Sequence, residues 1–591
     1  MEMPLETDNT KSDMTNTFFH NSEKVKNILT AVWVIFSFAL IFFMVKTGRI
    51  NYETNDDIIM AQITSGVFGK YSPFNVFNNI TLGLIFMELT KIMPGHNWPS
   101  VFDLGFVFLS YAMLGVICIR SSKRNLFESL SLPLIFVFST FKTMILGINF
   151  SKVGALAFMT GFLVLLFSLD RDDHKTTEMR IFRIISYILM ISGSLFRSDS
   201  VKAMLPFILL LIMYFCIKHK NEFSGNFLSR LFGGRLIHIL IPFAAVTVLW
   251  VINFFVYNTP EWKAYKEYEK LVVDMQDFYG FPAYDAHRDE YETLGLNEHD
   301  SVMFSCYIHA DNNVFSPDVI KSLDQMAAND FKKDINPAYI KSLIKSVLNL
   351  TRYQTGILIV LMLFISGAFI IDKKYIIYGF LSVLLMLAEL AYLYHINRVL
   401  ERSFILPVLG VYLVLIYMIA GSKSQNDNVP ATNTVFICIL LFAFFTGGMS
   451  DIKEINPYTT PDRESLEKLS NELSANGDAL YIWDYQSYAD ASIRYASPID
   501  GFPVNWMGNS LVLGAWPVEM PLMREIASPF GDPGNLMRIL AENPRAYYVF
   551  ENNNPYMTTE AIEEYINDHY DPNVVLTEEK AIGGFTVYSI K

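Results

Sequence analysis

Apolar runs about as long as a bilayer is thick recur along this chain. Residues 27–45 (NILTAVWVIFSFALIFFMV), 403–422 (SFILPVLGVYLVLIYMIAGS) and 429–450 contain no charged side chain, and each approaches the roughly 20 apolar residues that cross a membrane as a helix. Further runs at 101–119, 126–142, 151–169, 181–197, 201–217, 236–257, 354–371 and 375–394 bring the predicted spans to eleven. The stretch 76–93 (VFNNITLGLIFMELTKIM) is apolar but carries Glu88 and Lys91, and it reads as a helix lying in or half inserted into the membrane surface. From 258 to 350 the pattern turns polar, with acidic and basic residues at helical spacing. After 450, β-rich runs (ALYIWDY, AYYVFEN, FTVYSI) alternate with helix-like runs near 461–475, 533–542 and 558–570, the pattern of a small α/β domain.

The predicted fold class is therefore an α-helical polytopic membrane protein of about eleven transmembrane helices with a C-terminal extracytoplasmic α/β domain. Its segments are an N-terminal tail (1–26), a transmembrane module (27–257) with a first outer loop (47–100), a helical loop (258–350), further transmembrane helices (351–449) and the α/β domain (450–591). Composition agrees: of 591 residues 52% are hydrophobic and 18% charged, against about 25% charged in soluble domains. A net charge of -13 argues against a nucleic-acid partner. Of the four cysteines, Cys118, Cys216 and Cys438 fall in apolar runs and Cys306 in the polar loop, which makes neither a disulfide framework nor a metal-ligand spacing.

Basic residues orient the bundle. Lys24 and Lys26 precede the first span, and the connections 120–125 (RSSKRN), 171–180 (RDDHKTTEMR), 218–235 and 372–374 (DKK) are basic. Set in the cytoplasm they satisfy the positive-inside tendency, giving a multi-pass plasma-membrane protein with its N-terminus inside and its C-terminal domain outside. Lys142, Lys152, Arg197, Lys202, Arg398 and Arg402 break the tendency, since they fall at the outer ends of predicted spans. An anionic ligand at the outer surface accounts for them, and arginine's planar fork suits phosphate. The same outer face receives "YETNDDIIM", with adjacent carboxylates Asp56 and Asp57. A positioned carboxylate can take a proton from an acceptor hydroxyl while fixed cations stabilise a leaving phosphate. The pair could alternatively hold a divalent cation such as Mg2+ or Mn2+.

Plainer readings stand beside these. Thr54, Asn55 and the two acids make good helix N-cap chemistry; Arg197 and Asp199 could pair across a tight turn; Arg398 and Arg402, spaced i, i+4, could reach for lipid headgroups, as could Lys142, Lys152 and Lys202. Glu389 could pair with His395 or Arg398. Trp483 and Trp516 could stack on sugar rings, although Trp in a small α/β domain is more often core.

The order of first span, acidic pair in the first outer loop, surface helices, many further spans and a soluble terminal domain resembles the GT-C superfamily of membrane glycosyltransferases. The resemblance implies a polyprenyl-phosphate-linked sugar donor and an inverting transfer on the non-cytoplasmic side to a cell-envelope glycan or lipid-linked acceptor. It also implies a base or metal-ligand role for Asp56 or Asp57. The phosphate would be gripped by Arg197, Arg398, Arg402 and Lys152, supported by Asp199, Glu389 and His395. The 258–350 loop and the α/β tail are not general features of that superfamily. Two rival readings are a polysaccharide polymerase or ligase, which needs the arginines but no acidic pair, and a lipid-linked glycan flippase without chemistry.

Overall fold

The computed structural model describes residues 23–121, 125–171, 175–220, 235–333, 335–348, 354–373, 375–422, 429–447 and 461–591. The predicted cytoplasmic tail up to residue 22, parts of the basic connections (122–124, 172–174, 221–234), Lys374 and residues 448–460 lie outside the described residues.

Each of the eleven predicted runs is helical. The helices that frame the site are α1 (Glu23–Lys46), α2 (Asn55–Ser65), α3 (Ile80–Ile92), α4 (Trp98–Ser121), α5 (Leu126–Phe141), α6 (Phe150–Asp170), α7 (Thr177–Phe196), α8 (Ser198–Lys218), α9 (Leu236–Val256), α10 (Pro260–Asp274), α11 (Gln354–Ala368), α12 (Ile376–His395), α13 (Glu401–Gly421), α14 (Val429–Thr446) and, in the C-terminal domain, α15 (Tyr485–Tyr495); further short helices lie in the 258–350 segment and in the C-terminal domain. Among the described residues nine segments are long and apolar enough to cross a membrane, while α11 and α14 are shorter apolar helices. A π turn (Lys142–Leu146) extends α5 to crossing length. Helix α3 has 13 residues, about 20 Å at 1.5 Å per residue, which is too short to cross a hydrocarbon core of about 30 Å. It leans on α2, α4, α7 and α9, and its first turn is pinned by Asn79, whose amide donates to the Leu249 carbonyl, and by Asn253, whose side chain accepts from the Ile80 N–H.

Helices α6 and α13 are the most enclosed. Helices α6 and α7 approach closely because Gly154 and Gly193 face each other: a Cβ on Gly193 would lie 2.6 Å from the Phe158 nitrogen and 2.7 Å from the Gly154 oxygen. Small residues permit such contact where lipid supplies no hydrophobic drive between helices. The two ends of the bundle differ in chemistry. At one end Arg120 reaches Asn27 (3.1 Å) and Asp170 holds Lys218 (2.5 Å) and His219 (2.7 Å). At the other a two-stranded parallel sheet forms, β1 (Asn51–Tyr52) against β2 (Gly147–Ile148).

That second end carries the extramembrane parts. The C-terminal domain is a five-stranded sheet of β3 (Leu480–Trp483), β4 (Ser510–Val512), β5 (Ala546–Glu551), β6 (Leu576–Ile582) and β7 (Phe585–Ile590) in the order β4-β3-β5-β7-β6. Its first three strands are parallel, and β7 and β6 add antiparallel. The domain is bolted to the first loop through Gln62, which donates to Ser492 (3.0 Å) and accepts from Tyr488 (3.0 Å). The 258–350 segment is bolted to the domain in turn: Ile308 and Gly514 form a β-bridge, and a Cβ at Gly514 would fall 1.2 Å from the Tyr307 carbonyl oxygen. Gly514→Ala is therefore expected to part the two segments at a cost of about 1–3 kcal/mol. Limited proteolysis should then cut within 258–350 faster than in the wild type.

Candidate functional site

The pairing of β1 with β2 sets the chain that follows β1 beside the start of α6. Asp57 is buried there, and its carboxylate accepts from the Phe150 N–H (2.9 Å), the Asn149 amide (2.9 Å) and the Thr54 hydroxyl (3.2 Å). A carboxylate receiving backbone N–H at a helix N-terminus also meets the positive end of the helix dipole. The expected N-cap role thus takes another form: Thr54 stands at the N-cap of α2 without bonding that helix's own amides, and Asp57 caps α6 instead. Burial pushes Asp57 up to about 7, opposed first by the Phe150 N–H and raised further by Asp56.

Asp56 points the other way. One carboxylate oxygen accepts from the Trp516 indole N–H (3.1 Å), and the other lies 4.0 Å from the Arg402 guanidinium. Burial raises its pKa above the usual carboxylate range, while Arg402, then Arg197 and the Trp516 bond, hold it down. Arg197 sits at the turn between α7 and α8. Its guanidinium lies over the rings of Phe77 (5.2 Å) and Phe150 (5.3 Å), with Asp199 at 4.0 Å. Arg398 is ion-paired with Asp277, which lies in a π turn after α10, and rests on the Phe278 ring. Arg197, Arg398 and Arg402, from separate elements, line one cavity of about 500 Å3 with Asp199, Lys202 and Glu389, and its remaining wall includes Tyr392, Leu393, Leu406 and Pro407.

Other sequence-named residues fall elsewhere. Lys152 does not line this cavity: it is 1% exposed, held by Glu53 at 2.5 Å and by the Gly147 carbonyl at 2.7 Å. Its cation is spent internally because Glu53 stands directly between the strands and α13, accepting also from the Arg402 N–H (2.9 Å). His395 bonds Tyr339 (2.7 Å), not Glu389, and no ion pair of Glu389 occurs among the described residues. Trp483 is fully buried in β3 against Tyr488 and Phe585 and presents no exposed ring face. Trp516 does reach the site, as a hydrogen-bond donor to Asp56 rather than a stacking face.

Sequence reasoning missed Glu53, Asp277, Asn149 and Tyr485. Tyr485 on α15 accepts from the Asn55 amide (2.6 Å), and Asp56 adds to the burial that raises its hydroxyl. Glu53 was visible as a third acid next to the pair; Asp277 and Tyr485 carry no local signal, since only tertiary structure brings them here.

The donor set does not fit a protein-built divalent-cation cage. Among the described residues no group of three His, Cys, Asp or Glu side chains converges, and both Asp57 oxygens already accept hydrogen bonds.

No protein-family model and no curated protein matches the chain. Among solved structures it is similar to ArnT from Cupriavidus metallidurans, in a crystal structure bound to undecaprenyl phosphate, at 12% identity and a TM-score of 0.40 over 96% of this chain and 98% of that one.

The two aspartates should separate experimentally. Asp57→Ala leaves the Phe150 N–H buried without a partner and is expected to lower stability by about 1–3 kcal/mol. Asp56→Asn keeps an acceptor for Trp516 and should unfold within a degree or two of the wild type, roughly the noise of a surface change. Thermal unfolding of the detergent-purified protein measures both.

Proposed function

We propose that this protein is a membrane glycosyltransferase that moves a sugar from a polyprenyl-phosphate donor to a cell-envelope glycan or lipid-linked acceptor on the non-cytoplasmic side. The observation that carries the reading is the mostly buried carboxylate of Asp56, 4.0 Å from Arg402, which with Arg197 and Arg398 lines a partly apolar cavity at one end of a helical bundle. Asp56 takes the proton of the acceptor hydroxyl as its oxygen attacks the anomeric carbon. The bond from that carbon to the lipid phosphate oxygen breaks with its electron pair on the phosphate, and the product is an inverted glycoside plus polyprenyl phosphate. Arg197, Arg398 and Arg402 stabilise the charge that grows on the leaving phosphate. Arg398 must trade Asp277 for the phosphate when donor binds, so donor affinity includes the cost of that exchange.

With the basic end of the bundle in the cytoplasm, as charge bias favours, the N-terminus lies inside and the α/β domain outside, on the face where the acceptor is. A polymerase or ligase has no use for a carboxylate held among its arginines, and a flippase none for a base. The position of Asp56 favours the transferase over both.

The test is transfer of a radiolabelled sugar from a polyprenyl-phosphate donor by the purified protein. Asp56→Asn should cost about 10²–10⁴-fold in kcat, the usual worth of a general base, and wild-type rates in that variant would end the proposal. Because the base must be ionised and its pKa lies above the ordinary value, the rate should fall as pH drops through a midpoint higher than about 4. Arg402 is the first of the cations holding that carboxyl down, so Arg402→Gln should move the midpoint of the acid limb to higher pH, read from a pH profile of kcat.

A further inference from the structure

A second cavity, of about 710 Å3, opens between α10 and the C-terminal domain, outside every membrane-crossing helix. Its volume lies in the range of about 300–1,000 Å3 typical of small-molecule sites. Its wall includes Tyr265, Tyr268, Asn312, Glu519 and Arg524.

Glu519 is the unusual group. It is 8% exposed, one carboxylate oxygen takes Arg524 (2.5 Å), and the other oxygen is buried with no hydrogen-bond partner among the described residues. A buried acceptor left unpaired is costly and calls for a donor. Arg524 neutralises Glu519, Lys70 is ion-paired with Glu525 at the rim, and Glu261 adds one further carboxylate to the wall. An anionic ligand finds no excess of positive charge, whereas a polyol brings neutral O–H donors to the open Glu519 oxygen. The tyrosine hydroxyls are used inward, Tyr265 donating to the Trp516 carbonyl (2.9 Å) and Tyr268 to the His309 carbonyl (3.0 Å). What they offer the cavity is ring, the partner that the C–H face of a sugar stacks on.

We propose that this cavity is a carbohydrate site, seating a neutral or N-acetylated pyranose with its hydroxyls on Glu519 and Asn312 and its apolar face on Tyr268, the partly exposed ring of the two. The bond from Tyr265 to Trp516, and from Trp516 to Asp56, joins the cavity to the base in two steps. The sugar's role as part of the acceptor rests on the transferase reading; its binding does not.

Saturation-transfer NMR on the full chain in nanodiscs, with methyl glucoside, methyl N-acetylglucosaminide, methyl glucosaminide and methyl glucuronide as probes, decides it. The neutral or N-acetylated probe should saturate, with affinity at least five-fold weaker in both Glu519→Gln and Asn312→Ala, each variant checked for a wild-type melting temperature. Asn312 lines the same cavity and carries no charge, so its removal leaves no buried ion unpaired and its variant tests the site should Glu519→Gln fail to fold. No signal from the neutral probes, a signal only from the amine or the uronate, or affinity unchanged in the folded variants would overturn the proposal. Glycoside binding without any polyprenyl-phosphate transfer would count against the transferase alone. Asp56-dependent transfer with no glycoside binding would count against this cavity alone.

Discussion

The carboxylate of Asp57, on the Phe150 amide that opens α6 and on the side chain of its N-cap Asn149, is the contact from which the rest of the site is hung. A loop that follows a transmembrane helix has many ways to leave the bilayer, and a two-residue β1–β2 pairing is too short to fix one of them. Three hydrogen bonds to one buried carboxylate do fix it, and because Asp56 is the next residue back along a helix, about 100° around the axis, it is turned away from α6. Asp56 therefore faces Arg402 and Trp516 as a consequence of what Asp57 grips. The adjacent acids divide by geometry into an anchor on α6 and a carboxylate turned toward the arginines.

The arginine cluster is the complementary strain. Arg197, Arg398 and Arg402 repel one another, and burial lowers the pKa of Arg197, with Asp199 and Asp56 opposing and Arg402 and Arg398 adding to the shift. Paired carboxylates such as Asp277 and Asp199, and aromatic faces such as Phe77, Phe150 and Phe278, share the load, but faces lend only about 0.5–2 kcal/mol each. On the proposed reading, a lipid phosphate entering this cavity would relieve that repulsion. Such relief would be a source of affinity which no single contact supplies, and it would account for cations standing where charge bias along the sequence would not put them.

How much of this could be read from residues alone follows the range of each interaction. Helix positions were legible because bilayer length and apolar runs are properties of contiguous sequence, and the three arginines were legible because they offend a rule that is also written along the chain. The anchor role of Asp57 was not, since Asn149 and Phe150 are more than ninety residues away. Lys152 looked like its neighbours until Glu53 was seen to consume its charge. Trp483 and Trp516 are indistinguishable in sequence context; one is sheet core and the other feeds Asp56, and only the docking of the C-terminal domain tells them apart.

That docking gives the extramembrane parts a duty beyond covering the bundle. Asp56 receives Trp516 from the C-terminal domain, Asn55 beside it is held by Tyr485 of the same domain, and Arg398 is held by Asp277 of the 258–350 segment. The transmembrane helices alone would present a carboxylate without its indole donor and an arginine without its counterion, so Asp56 would sit at a different pKa and the arginine-lined cavity at a different charge. The site is completed only when three parts of the chain meet at one end of the bundle. The Gln62 bridge to Ser492 and Tyr488 fixes the C-terminal domain on the first loop in the register that brings the Trp516 indole to Asp56.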